Sequence, residues 1–408
     1  MAGRVVAALV LVLAGAVLRL PVAAILGGVL LLVEVVHATW QRRGLRNVRY
    51  ARRVPVPRLA WGEEVRLDIE VWNRKRLPLA WLRADDAIED GLVVRDRPSI
   101  ETEAFGPTLV NTWTLAPFER VVRHLHLSAN RRGVFAIGPA NLSVGDLFAR
   151  PAAMAEIEGQ LLVTAWPKVV AAPSVIRPER WGDLDRARRG LVEDPSRFAG
   201  IRPYSPGDPI RRIHARASAR LGAPMTKTFE PSRERDVLLA LDLQTEPGPT
   251  WELAVEDEVI EGLFVVAASV SRSLEAERAA FGLTAAGYSG LPNRFADVPV
   301  AHAAGQADRV LDLLARLSTT PSARFESLLG RIERRGASGT TVVAITARPP
   351  GPFVGPFRRL AHAGFGVAVL TAGPDALANA ADARAAGFAA RAALLDGPWR
   401  SATQVRFA

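Results

Sequence analysis

Residues 5–36 are almost unbroken hydrocarbon, and the stretch that follows, Gln41–Arg53, holds Arg42, Arg43, Arg46, Arg49, Arg52 and Arg53 and no acid. No other feature restricts this chain as much. An apolar run beside a basic cluster reads as a membrane anchor, and arginine-rich flanks stay on the cytoplasmic side. Each half of the run is short. Residues 5–18 would give a helix of about 21 Å, against a hydrocarbon core of about 30 Å. Arg19 and Pro21 separate that half from residues 22–36, which include Glu34. Proline inside a helix removes a hydrogen bond and kinks the chain. The expectation is a transmembrane hairpin of two short helices within residues 1–40, turning at Leu18–Pro21, with Arg19 snorkelling to the far headgroups. One long kinked span is the alternative. A cleaved signal peptide, with Arg4 as the charged start and Ala14-Gly15-Ala16 as the small-residue site, would export the body instead. A buried core hairpin of a soluble protein fits the same residues.

The 408 residues allow two or three domains, and 49% of them are hydrophobic, enough for sizeable cores. The absence of cysteine excludes a disulfide framework and thiolate chemistry, and fits a reducing compartment. The net charge of +10 calls for an acidic partner. Beyond residue 54 the arginines are scattered among acids, so the charge reads mainly as attraction to an anionic inner leaflet, about 1 kcal/mol per basic residue near the surface. No basic platform interleaved with aromatics is present, so nucleic acid is not an expected partner.

Residues 41–54 read as a basic juxtamembrane linker, and 55–170 as an all-β sandwich. Val65–Val71 and Val121–Leu127 alternate apolar and polar with period two, and turn signals recur at Trp61-Gly62, Asp90-Gly91, Arg132-Gly133 and Gly145-Asp146. His124 and His126 share one strand face, more in keeping with a solvated surface than with a metal pair. Residues 171–235 form a connector. Within it Asp208-Pro209 looks like an N-cap and first helical residue, opening a helix that runs to about Arg220 and stops at Gly222. That helix would present Arg212, Arg216 and Arg220 on one face. From 236 to 408 the pattern becomes strand–helix alternation, with strands at 237–243, 279–286, 341–346 and 366–371 and helices at 251–274, 307–317 and 357–363. This implies an α/β domain with an open, mostly parallel sheet, whose ligand position lies at the carboxyl ends of the strands.

Two constellations stand out. Asp242 ends the first strand of the α/β region. It occupies the place of the first ligand of the metal-ion-dependent site of von Willebrand factor A domains, with Thr346 at the end of a later strand. The two serine positions of that site are Gln244 and Glu246, whose longer side chains would crowd Mg²⁺. Asp242 would otherwise cap a helix or pair with a connector arginine. The second constellation comprises Arg202, Tyr204, Gly207, Asp208, Arg211, Arg212, His214, Arg216, Ser218 and Arg220. It is either a docking site for anions or acidic protein or a clasp, its arginines paired with Glu230, Glu234 or Asp242. His214 has no serine nucleophile near it and makes a poor acid–base group. Acids at Glu252, Glu256, Asp257, Glu258 and Glu261 read as a solvated helix face. No phosphate loop, nucleophile elbow or His-Glu-x-x-His motif occurs.

The segment from Arg202-x-Tyr204 through Gly207-Asp208, Arg211-Arg212-x-His214 and Ser218-Ala219-Arg220 to Lys227-x-Phe229-Glu230 resembles the signature of the bacterial domain-of-unknown-function 58 family. Arg131-Arg132-Gly133-Val134-Phe135, Gly138-Pro139 and Gly145-Asp146-Leu147-Phe148 resemble its second landmark. The chain departs from the pattern at Ala215, where an aromatic residue is common, and in lacking serines after Asp242. The resemblance implies a membrane hairpin, a β-sandwich and a von Willebrand factor A-like domain. It also implies a partnership with a MoxR-type AAA+ ATPase at the bacterial inner membrane. The expected function is therefore a non-enzymatic, membrane-anchored adaptor facing the cytoplasm, with no cofactor and no small-molecule substrate. The alternative is a Mg²⁺- or Mn²⁺-dependent enzyme or binding module centred on Asp242.

Overall fold

The computed structural model describes residues 2–96, 100–102, 106–175, 193–205, 212–231, 236–245, 256–290, 294–337 and 339–408. They form two compact units, Met1–Trp166 and Pro167–Ala408.

The first unit opens with helices α1 (Ala2–Val17) and α2 (Pro21–Arg43), turned at Arg19, whose φ is 53°. Glycines let the two helices approach closely: a Cβ on Gly15 would lie 2.4 Å from the backbone N of Ala24, and one on Gly27 2.6 Å from Val12. Small residues serve this purpose where helices pack without water. α2 is long and apolar enough to cross a membrane; α1 is shorter.

The strands of this unit are β1 (Val48–Arg53), β2 (Arg58–Leu59), β3 (Val65–Asn73), β4 (Leu79–Ile88), β5 (Leu92–Val94), β6 (Ile100–Thr102), β7 (Gly106–Leu115), β8 (Arg120–Ala129), β9 (Gly133–Gly145), β10 (Pro151–Ile157) and β11 (Leu161–Ala165). One sheet has the order β1-β3-β8-β5, and the other β2-β11-β9-β4-β7-β6 with β10 added on β9. Alternation makes these strands: Leu67, Ile69 and Val71 of β3 are buried while Arg66, Asp68 and Glu70 face outward. The expected juxtamembrane linker at 41–54 is corrected. Helix α2 continues through Arg43, Trp40 is 6% exposed within the sandwich core, and Val48–Arg53 pairs with β3. Apolar residues at 36, 40 and 45 place the end of α2 inside the core.

The second unit contains β12 (Glu193–Pro203), α3 (Ala215–Leu221), β13 (Met225–Pro231), β14 (Val237–Leu241), α4 (Asp257–Ala276), β15 (Phe281–Ala285), β16 (Ala296–Ala301), α5 (Gln306–Arg316), α6 (Phe325–Arg335), β17 (Thr341–Thr346), α7 (Val354–His362), β18 (Gly366–Thr371), α8 (Ala376–Ala385), β19 (Ala389–Leu395) and β20 (Val405–Phe407). The main sheet has the order β16-β15-β14-β17-β18-β19-β20. Its five central strands are parallel and its two edge strands antiparallel. Strands buried on both faces need continuous apolar sequence; in β14 and β17 nearly every residue is buried. The chain leaves β14 for β15 on one side and later enters β17 on the other. The carboxyl ends of β14 and β17 therefore form the switch point of the sheet.

β12 and β13 form a separate antiparallel ribbon inside the expected connector. The helix expected from Pro209 is also corrected. Ile213 forms a bridge with Thr226, and His214 is non-helical at φ −91°, ψ 86°, so the helix starts at Ala215. It ends as expected at Gly222, in the left-handed conformation at φ 67°.

Candidate functional site

At the switch point, the structure brings Asp242 and Thr346 together and adds a third group, Arg348. The Thr346 hydroxyl donates to Asp242 Oδ2 at 2.8 Å, and Arg348 Nε donates to the same oxygen at 2.9 Å. Asp242 Oδ1 accepts from the Gln244 backbone N–H at 3.0 Å. Arg348 N–H donates to the Thr346 hydroxyl at 3.1 Å, which fixes the loop carrying the guanidinium. The guanidinium lies 4.6 Å from the Phe353 ring centre, and its Nη1 is 3.6 Å from Glu326 Oε1. Asp242, Thr346 and Arg348 are 1%, 0% and 3% exposed. Burial pushes the Asp242 carboxyl above its ordinary range, against the pull of Arg348 and of the Gln244 and Thr346 donors.

This arrangement does not fit a divalent cation. Hard cations need several free oxygens, and both Asp242 oxygens already accept from protein donors. The Gln244 side-chain oxygen Oε1 faces elsewhere and accepts from Phe325 N–H at 3.2 Å, capping α6. Glu246 lies outside the described residues. Among the described residues no cluster of three or more His, Cys, Asp or Glu is placed to hold a metal. His124 and His126 pair separately with Asp68 at 2.6 Å and Asp96 at 3.0 Å. The expected pairing of Asp242 with a connector arginine is likewise corrected, because its partner comes from the loop after β17.

The signature residues form a different structure. His214 Nδ1 accepts from Ala217 N–H at 3.1 Å and so caps α3. The Ser218 hydroxyl donates to the His214 carbonyl at 3.1 Å and accepts from Met225 N–H at 2.9 Å. His214 N–H donates to the Met225 carbonyl at 2.7 Å, and Tyr204 N–H to that of Pro224 at 2.9 Å. His214 and Ser218 thus tie α3 to the start of β13, with His214 in a capping role, and Tyr204 ties the end of β12 to the residue before β13. Arg216 and Arg220, four apart on α3, are exposed; Arg202 is exposed at the end of β12 and donates to the Pro203 carbonyl at 3.1 Å. Arg212 precedes the helix and does not share its face. Gly207, Asp208 and Arg211 lie outside the described residues, as do Glu234, Glu252 and the side chain of Glu230. Glu256, Asp257 and Glu258 are exposed at the start of α4, as expected of a solvated face.

A cleft of about 400 Å³ opens at the carboxyl ends of β18 and β19, lined by Glu258, Val259, Gly373, Pro374, Leu395 and Trp399 among others. It is largely apolar, and among the described residues Glu258 is its one ionisable group.

Residues 200–346 match the family described as protein of unknown function DUF58. That match supports the DUF58 family for this chain. The match runs from β12 to Thr346 and includes Asp242; Arg348 lies two residues beyond it. No curated protein matches the chain. Among solved structures, the CARDB domain of the PF1109 protein from Pyrococcus furiosus is 11% identical, over 29% of this chain and 91% of that one, with a TM-score of 0.20. Native alpha-2-macroglobulin from Escherichia coli is 20% identical over 31% of this chain, which spans only 17% of that one, with a TM-score of 0.22. A cohesin module from Clostridium perfringens is 11% identical, over 29% of this chain and 95% of that one, with a TM-score of 0.19. Likeness of this degree says nothing about the activity of this chain.

Proposed function

We propose that this DUF58 protein is a membrane-anchored, non-enzymatic adaptor whose α/β unit is a von Willebrand factor A-like recognition module facing the cytoplasm of a bacterium. The reading rests first on Arg348. A guanidinium fills the switch point where an open α/β sheet takes its ligand, so the Asp242 position supplies neither an open crevice nor a bound electrophile. The sheet order, with an antiparallel strand at the β16 edge and Asp242 at the end of the first strand, supports the A-like reading. The apolar helix α2 and the arginines after it support the anchor and the inward orientation.

The partner proposed is a MoxR-type AAA+ ATPase, with exposed Arg216 and Arg220 on α3 as the docking candidates. Arginine forks suit carboxylates on a facing protein. The test is affinity capture of the full chain from detergent extracts of its own host, comparing wild type with Arg216→Glu/Arg220→Glu. Recovery of an AAA+ ATPase that the double variant loses supports both partner and surface. Repeated recovery of none sinks the partnership.

A further inference from the structure

The β9–β10 turn, Asp146–Arg150, is built inside out. Its acid is buried: Asp146 is 0% exposed and accepts from Phe148 N–H at 2.9 Å and Arg150 N–H at 3.0 Å. Its apolar residues face outward, Leu147 at 59% and Phe148 at 50% exposed. Turns in water favour Gly, Pro, Asn, Asp and Ser at their tips, so two large apolar side chains at this tip call for a less polar medium.

The turn is fixed to the apolar helix. His37 Nδ1 lies 2.8 Å from Asp146 Oδ2, Arg150 Nη1 donates to Glu34 Oε1 at 3.0 Å, and Arg150 Nη2 donates to the Val33 carbonyl at 3.2 Å. These contacts hold Leu147 and Phe148 at the level of residues 33–37, where α2 begins to pack Val36 and Trp40 into the sandwich core. The part of α2 before that level, Pro21–Val33, is about 20 Å long, shorter than a hydrocarbon core of about 30 Å. Apolar side chains beside the helix at that boundary would extend the lipid-compatible surface.

Strand register shows what else shares this end of the sandwich. Val48 pairs with Asn73, Trp72 with Arg120, Leu79 with Leu115 and Trp81 with Gly145. The turns there present Arg46, Arg74, Arg76 and Phe118, all exposed. Both acids of these turns are engaged, Glu119 by Ala116 N–H at 2.6 Å and Asp146 as above. The connections at the other end are mixed in charge: Glu63, Glu64, Glu89 and Asp90 stand there with Arg131 and Arg132, Arg131 donates to the Asp90 carbonyl, and Arg95 pairs with Glu64 at 2.6 Å.

We propose that the Asp146–Arg150 turn is a second membrane contact, with Leu147 and Phe148 entering the headgroup–acyl boundary of an anionic bilayer. The inference rests on the reading of α1 and α2 as a membrane anchor. Partial burial of apolar side chains with basic residues around them is how interfacial segments bind anionic lipid.

The chain has no cysteine, so single spin labels can be placed directly. Leu30→Cys on α2, Leu147→Cys, Phe148→Cys and Val56→Cys, at the far end of the sandwich, would be labelled in the full chain. Each would be reconstituted in phosphatidylcholine vesicles containing one quarter phosphatidylglycerol. Collision rates with oxygen and with a water-soluble nickel chelate then give depth. Expected is a lipid-like ratio at Leu30, a shallower lipid-like ratio at Leu147 and Phe148, and a water-like ratio at Val56. Water-like ratios at both turn positions with Leu30 still lipid-like overturn the second contact and leave the anchor standing. A water-like ratio at Leu30 overturns the anchor and the inference together.

Discussion

Each unit of the molecule buries a small group of charges, and the two groups do different work. In the first unit Glu34, His37, Asp146 and Arg150 join a helix to a hairpin turn more than a hundred residues away. Arg150 stays 28% exposed at its side chain, and the group lies at an edge. In the second unit Asp242, Thr346, Arg348 and Glu326 sit within the sheet end, and the central pair is almost fully buried. The first group fixes the direction in which an apolar helix leaves a sandwich. The second closes the crevice where a sheet of this topology holds its ligand. Buried charge is therefore weak grounds for catalysis by itself. What separates a reactive site from a structural lock is whether the carboxylate at the strand end has capacity left for a ligand: both Asp242 oxygens are engaged, while Glu326 Oε2 and Arg348 Nη2 beside it have no hydrogen-bond partner among the described residues.

The largest expected effect breaks the second group. Asp242→Ala or Arg348→Ala leaves its partner charged in a dry site, and removing one member of a buried pair costs roughly 3–5 kcal/mol. Denaturant unfolding of the full chain in detergent should show this loss. Asp242→Leu/Arg348→Met should recover much of it, since apolar replacement of a whole buried pair is often neutral or better. A double variant no more stable than either single one would mean that the pair is more than a plug.

A smaller loss is expected from His214→Ala. Removing a helix cap costs about 0.5–2 kcal/mol, and the same variant should leave any activity or metal response unchanged. His214→Asn, which restores a capping side chain, should recover most of the stability. Failure of that rescue would reopen His214 as a functional group.

The smallest effect is in pH dependence, where Asp146 and Asp242, both buried, have opposite signs. For Asp146, burial acts to raise its carboxyl, but hydrogen bonds from Arg150 N–H, His37 and Phe148 N–H outweigh it and hold the group below the usual range. Its contribution to stability is present above the ordinary carboxylate value, about 3.9, and is lost as pH falls through its lowered value. Asp242 is raised, so its contribution is fully present below about 3.9 and is lost as pH rises through its folded value. Unfolding followed across acid pH should show Asp146→Asn flattening the acid limb. An acid limb unchanged by that substitution would mean that the turn is not charge-locked.

The sequence revealed much of the sheet and little of the locks. Thr341–Thr346 and Gly366–Thr371 are legible residue for residue, because each is a continuous apolar run between turn signals. Helix α8 and strand β19 are not, since alanine gives neither period any contrast. Helix α6 carries its own signal, since Phe325, Leu328, Leu329 and Ile332 recur at helical spacing and are buried. Asp242 is marked by its place at a strand end, and Thr346 likewise. Arg348 carries no such mark, because one arginine among many in an arginine-rich chain has no local pattern and its partner is 106 positions away. The same holds for Arg150 and Glu34, 116 positions apart. Gly145-Asp146 signals a turn, but only the folded chain shows that turn held against α2.

Arg348 closes the switch point, and calorimetric titration of the full chain in detergent with MgCl₂ and MnCl₂ tests that closure directly. The expected result is no saturable heat with either salt at millimolar concentration. A saturable heat that disappears in Asp242→Asn would show that the carboxylate trades its guanidinium for a cation, and the adaptor reading would give way to a metal-dependent one.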